Sequence, residues 1–147
     1  MTRLADHLLR LWMNPLPDGD AALAAFREVY ADPVRVNGID MPVEELVQRA
    51  RALHVAFDQL GAKVDQQVEA SGVLVIGFRM RGRHVGPLAT PLGEIPATGR
   101  DVEVGEVRTI DILTAPDDVV SDVFVVADEL GRLSQLGAVT PVPASSE

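Results

Sequence analysis

Gly82-Arg83-His84-Val85-Gly86, then Pro96-Ala97-Thr98-Gly99-Arg100, and finally Asp128-Glu129-Leu130-Gly131 running into Gln135-Leu136-Gly137 frame the part of this chain that decides its fold. Around and between these pieces, apolar residues recur at every second position. That period predicts strands near 63–70, 73–84, 101–114 and 118–128, with turns at Ser71-Gly72 and Pro116-Asp117. The sheet so read is antiparallel and curved, and a short helix beginning after Asp128 closes the domain.

Ahead of the strands the period is helical. Leu4, Leu8, Leu11 and Trp12 predict a first helix over 2–13, broken by Asn14-Pro15-Leu16-Pro17. A second helix, capped by Asp18 or Asp20, carries Leu23, Phe26 and Tyr30 on one side and stops before Pro33. Val34 to Gly38 reads as a short strand or turn. Pro42, Glu44 and Glu45 open a third helix with Val43, Leu46, Val47, Ala50, Leu53 and Phe57 inward and Gly61 ending it. Helices first and long strands after them predict an α+β fold, with three N-terminal helices packed on one face of a bent sheet.

Composition narrows the function. The 147 residues, 47% of them hydrophobic, suit a single domain over 1–139 with room for a pocket, followed by a Pro- and Ser-rich tail over 140–147 expected to be disordered. A net charge of −9 with scattered basic residues argues against nucleic acid as a partner. With no cysteine and three dispersed histidines, no metal site is expected. No apolar run approaches the length of a membrane span, and Met1 to His7 is unlike a signal peptide, so a cytoplasmic protein is expected.

The order and spacing of the quoted pieces resemble those of the SnoaL-like polyketide cyclases, also called ester cyclases. This family shows a Gly-x-His-x-Gly strand end, a Pro-Thr-Gly-Arg turn, a final strand and a short helix closing in Gln-Leu-Gly. The resemblance implies the nuclear transport factor 2-like cone, in which a curled sheet and three helices enclose an apolar pocket. It also implies ring closure on a polyketide-like small molecule in secondary metabolism, such as antibiotic biosynthesis, without a cofactor. In the aldol cyclases of the family, a histidine and an aspartate on the last two strands do the chemistry. Counting back from Gln135-Leu136-Gly137 places that aspartate at Val125 and the histidine at Asp111; counting forward from Thr98-Gly99-Arg100 places the histidine at Arg108. An alkyl group thus stands where the family's carboxylate is expected.

The residues themselves offer substitutes. Asp111, if held in an apolar pocket, has the environment of an acid or base working near neutral pH, while an ordinary strand carboxylate is the alternative. Arg108 shares a strand face with Val104 and Ile110, where a guanidinium needs a partner such as Glu106, Asp111 or an anionic or enolate-bearing ligand. His84 is in phase with Leu74, Ile76, Phe78 and Met80, either as a proton donor or acceptor or as a buried histidine bonded to backbone. Asp128 is an acid at a strand end, or the N-cap of the closing helix. Trp12, Tyr30, Asn37, His54, Phe57, Val125 and Phe124 are candidate pocket wall.

Both faces of the last two strands carry apolar residues, and the helices cover only one. A homodimer through the other face is therefore expected. Aldol-type or pericyclic [4+2] closure leads the functional readings. A hydrolase, dehydratase or hydroxylase relative using Asp111 and His84, or a non-catalytic dimer binding a small ligand, stands beside it.

Overall fold

The computed structural model describes residues 3–113, 119–140 and 142–144. In chain order its elements are α1 (Arg3–Met13), α2 (Asp20–Arg27), β1 (Tyr30–Val36), β2 (Ile39–Met41), α3 (Val43–Ala56), β3 (Phe57–Ala70), β4 (Val73–His84), β5 (Leu88–Thr90), β6 (Gly93–Ile95), β7 (Asp101–Leu113), β8 (Val119–Ala127) and α4 (Glu129–Gln135). Six strands form one bent, open sheet in the order β2-β1-β8-β7-β4-β3, and β5 and β6 make a separate hairpin. The α+β architecture is the expected one, with three N-terminal helices on the sheet. The expected turn at Pro116-Asp117 and part of the C-terminal tail lie outside the described residues. No helix among the described residues is long and apolar enough to cross a membrane.

The long strands follow from their period. β3 and β4 turn through Ser71 and Gly72, both at positive φ (51° and 76°), the geometry that joins tightly twisted antiparallel strands. β4 then pairs with β7 without interruption from Val73 opposite Asp111 to Arg83 opposite Asp101. Extra residues in β3, between Asp58 and Gly61 and between Val64 and Gln66, and in β8, between Val120 and Asp122, shift the register and bend the sheet.

Three expectations are corrected. The sheet is mixed, because β1 runs parallel to β8, with Arg35 opposite Asp122 and Val36 opposite Val123. A parallel pair needs a long crossover, and the whole chain between the two strands supplies it. Asn37, at a left-handed φ of 50°, extends this pairing: its N–H donates to Val123 O and its Oδ1 accepts from Val125 N–H, both at 2.8 Å. The second helix ends at Arg27 and begins after Gly19 without a side-chain cap, so Tyr30 belongs to a strand. The third helix ends at Ala56, because Phe57 pairs with His84 and is drawn into β3, leaving Gly61 beside a bulge.

Burial divides into two clusters. In the larger, Leu8, Phe26, Leu46 and Val47 of the helices meet Leu74, Ile76, Phe78, Ile110 and Val123 of the sheet. In the smaller, Ala56, Phe57, Leu88, Val102 and Leu136 pack around the end of β4. The glycines flanking His84 make that second cluster feasible. A methyl group on Gly86 would fall 2.1 Å from the Val55 carbonyl oxygen, and one on Gly82 would fall 3.0–3.1 Å from Leu60 and Phe57. The approach lets both Val85 N–H and Gly86 N–H donate to Ala56 O. We expect Gly86→Ala to cost about 2–3 kcal/mol or more, since backbone must move to relieve the clash. Gly105→Ala, where a methyl group meets nothing within 4 Å, should change stability by less than about 1 kcal/mol. Chemical denaturation of both variants checks this.

Candidate active site

The sheet and helices α1, α3 and α4 enclose a cavity of about 310 Å³. Leu8, Leu9, Trp12 and Met13 of α1, Leu46 and Leu53 of α3, and Ile76, Phe78 and Met80 of β4 make its walls largely apolar. Val123 and Val125 of β8 complete them, because that strand turns its odd positions inward there. The same alternation in β7 turns Glu106, Arg108 and Ile110 to the cavity. Two charged residues therefore stand side by side on an alkyl wall.

Arg108 is held from several directions. Its Nη2 donates to Glu106 Oε2 at 3.2 Å, in a pair whose side chains are only 21% and 17% exposed. Its guanidinium lies 5.6 Å from the centre of the Trp12 ring and 5.5 Å from that of Phe78, within the range of cation–π attraction. Trp12 in turn donates from Nε1 to the Tyr30 hydroxyl at 2.8 Å. Burial pushes the Tyr30 phenol above its ordinary value near 10, the neighbouring Arg108 and the Trp12 bond pulling part of the way back. The phenol is therefore neutral across the physiological range. Its oxygen accepts from Trp12, which leaves its own O–H available as a donor.

Of the expected site residues, the structure brings Arg108, Trp12, Tyr30 and Val125 together on the cavity wall. The others whose side chains are described do not line the cavity. His84 is fully buried in the second cluster, tilted against Phe57 at 5.5 Å between ring centres. Its Nδ1 accepts from Thr98 N–H at 3.2 Å and lies 2.9 Å from Thr98 Oγ1, so its ring anchors the loop over 96–100. His54 Nε2 lies 2.7 Å from the Trp12 carbonyl oxygen and holds the end of α1. Asn37 ties β1 to β8. Phe124 is 59% exposed on the outer sheet face. Asp128 caps α4, its Oδ1 accepting from Gly131 N–H at 2.9 Å. The backbone of Asp111 pairs with Val73 and Asp122, and its side chain lies outside the described residues.

Sequence reasoning had not singled out Arg49 of α3 and Arg132 of α4, which also line the cavity. Their helices carry several polar positions, and only the packing shows which of these turn inward. Glu106 had a visible signal: it shares with Arg108 a strand face of otherwise alkyl residues. Among the described residues no three of His, Cys, Asp or Glu converge as metal ligands.

Tyr30 is the sole tyrosine of the chain, so an ultraviolet titration reads it alone. We expect its ionisation above pH 10 in the folded protein, with the Trp12→Phe variant shifted further up through loss of the donor. Because the phenol binds its proton more tightly folded than unfolded, its contribution to stability is complete below pH 10 and lost as pH rises through the folded value. Tyr30→Phe should remove that part of the alkaline decline in stability.

No protein-family model matches the sequence, and no curated protein shows significant sequence similarity to it. Solved structures do match in shape. TsrD from Streptomyces laurentii superposes with a TM-score of 0.74 at 23% identity, over 95% of this chain and 99% of that one. A SnoaL-like polyketide cyclase from Agrobacterium tumefaciens gives 0.68 at 19% identity, over 93% and 100%. AclR from Streptomyces galilaeus, a candidate hydroxylase, gives 0.71 at 15% identity, over 95% and 82%. Helices and bent sheet thus have the arrangement found in the SnoaL-like polyketide cyclases, and the chain has their fold.

Proposed function

We propose that this chain is a cyclase that folds a polyketide-like small molecule in its cavity and activates one carbonyl for ring closure without a cofactor. The observation that carries the reading is the cluster of Glu106, Arg108 and Tyr30 on one side of a largely apolar cavity. The alkyl and aromatic walls bring the two reacting carbons together, and orientation of this kind lowers a barrier by several kcal/mol. Glu106 removes the acidic proton from a carbon flanked by carbonyls. Arg108 and the neutral Tyr30 hydroxyl donate to the enolate oxygen that results. The enolate carbon then attacks a second carbonyl of the same molecule, forming the carbon–carbon bond. The new alkoxide recovers the proton from Glu106, so the product is an isomer of the substrate.

The test is turnover of a panel of linear poly-β-keto acids and their esters, with products read by mass spectrometry and chromatography. Glu106→Gln and Tyr30→Phe should each lower turnover about 100-fold if they act in proton transfer. Unchanged turnover in both folded variants sinks the acid/base mechanism. A loss confined to Asp111→Asn moves the proton transfer to that residue. A second reading draws on Val125, an alkyl group on the wall where the resemblance implies a carboxylate: pericyclic [4+2] closure, which needs shape more than proton transfer. It predicts turnover sensitive to Val125→Trp, which fills the cavity, and indifferent to Glu106→Gln.

The outer face of the sheet supports a homodimer. Val68, Val75, Val107, Phe124 and Val126 are 37–65% exposed there and lie on adjoining registers of β3, β4, β7 and β8. At its border, Arg79 bonds both Asp65 and Glu103, so the charges satisfy one another and leave the centre apolar. Light scattering should give twice the mass of one chain, and Phe124→Asp should give the mass of one; a wild-type monomer at micromolar concentration overturns the assignment.

A further inference from the structure

Three buried side-chain nitrogens among the described residues have no hydrogen-bond partner: His84 Nε2, Arg108 Nε and Arg132 Nε. The first lies in the second core cluster. The other two belong to guanidinium groups on the cavity wall. Among the described residues that line the cavity, the buried nitrogens without a partner thus both belong to cations. A buried donor without a partner is destabilising, which favours a ligand that brings an acceptor to these guanidinium groups.

The charge of the wall points the same way. Among the described residues, Arg49, Arg108 and Arg132 face Glu106 as the one acid lining the cavity, in a protein of net charge −9. The other carboxylates paired with these arginines stand on the solvent side. Glu129, bonded to Arg132, and Glu45, at 3.6 Å from Arg49, have side chains 55% and 48% exposed. Arg49 is itself 57% exposed and marks the rim, whereas the Arg132 side chain is only 15% exposed.

Arg132 is also rigidly placed. Asp128 caps the first turn of α4 and its N–H donates to Gly105 O, next to Glu106. Gln135 at the other end pairs its side-chain amide with both backbone groups of Glu103, at 2.8 and 2.9 Å. The helix is fixed to β7 at both ends, and the arginine between them presents a planar fork that matches the two oxygens of a carboxylate.

We propose that the ligand of this cavity is an acid: an apolar carbon skeleton ending in a carboxylate that docks on Arg132, with Arg49 at the rim as its second cation. This rests on the cavity being the substrate site proposed above, and it orients the substrate. The carboxylate is anchored at α4, and the reacting oxygen lies toward Arg108 and Tyr30.

The sole tryptophan of the chain, Trp12, lines the cavity, so its fluorescence reports occupancy without any turnover. We would titrate the protein with 2-naphthoate, its neutral methyl ester and 2-naphthyl phosphate. The acid should bind about tenfold or more tightly than the ester, the difference expected of a charged hydrogen-bonded pair. Arg132→Leu should bring the ratio near one by weakening the acid alone. Arg132→Lys, which keeps charge but not the fork, should fall between, and should serve where the leucine variant melts at lower temperature than the wild type. Arg35→Leu, a surface arginine paired with Asp40, should leave the ratio unchanged. Equal affinity for acid and ester in the wild type overturns the proposal while leaving the cavity as a ligand site. So does a preference abolished by Arg108→Leu and untouched by Arg132→Leu, or tightest binding of the phosphate. Absence of quenching by all three probes overturns the proposal and the cavity assignment together.

Discussion

His84 closes the structure on itself. Its backbone N–H donates to Arg100 O, its carbonyl accepts from Gly99 N–H, and its ring accepts from Thr98 N–H, so three bonds fix the loop over 96–100 to the end of β4. One residue further on, Val85 and Gly86 bond the last carbonyl of α3. Arg100 then donates to Gln135 O, and Leu136 fills the second core cluster. The buried end of β4 around His84 thereby sets the relative positions of α3, β4, β7 and α4. These are elements that carry Leu46, Phe78, Arg108 and Arg132 to the cavity.

That constraint explains why so much of the fold was legible in the sequence and so little of the site. The pieces quoted first, from Gly82 to Gly137, are a set of backbone requirements. Gly86 permits a close approach, Gly99 and Gly137 adopt left-handed φ of 71° and 70°, and Gln135 completes the ladder of β7. Such requirements leave residue-specific marks at fixed spacing. The parallel pairing of β1 left none, since seven residues containing Pro33 carry no signal of direction. Phe57 misled for a related reason: its spacing suits a helix face, but pairing with His84 outweighs local preference.

The cavity wall follows a different logic. An apolar surface leaves only a period in the sequence, and a period does not say which helix position turns inward. Arg132 and Arg49 were invisible on that account. Arg108 and Glu106 stood out because charge on an alkyl strand face is costly and demands explanation. His84, equally conspicuous by its alternation, proved to lie away from the cavity, with its Nδ1 bonded to Thr98 within the fold.

The parallel junction of β1 with β8 also governs how the chain reaches this state. Asn37 and Val125, bonded across it, are 88 residues apart in sequence. The helices that form the cavity roof are synthesised long before the strand that completes its floor. Their apolar faces, led by Leu8, Phe26 and Leu46, have part of their lasting cover only once β7 and β8 have joined the sheet. Contacts of such separation slow folding, and they leave hydrophobic surface open to aggregation in the interval. The cavity thus draws its wall from both ends of the chain, and its assembly is a property of the whole chain.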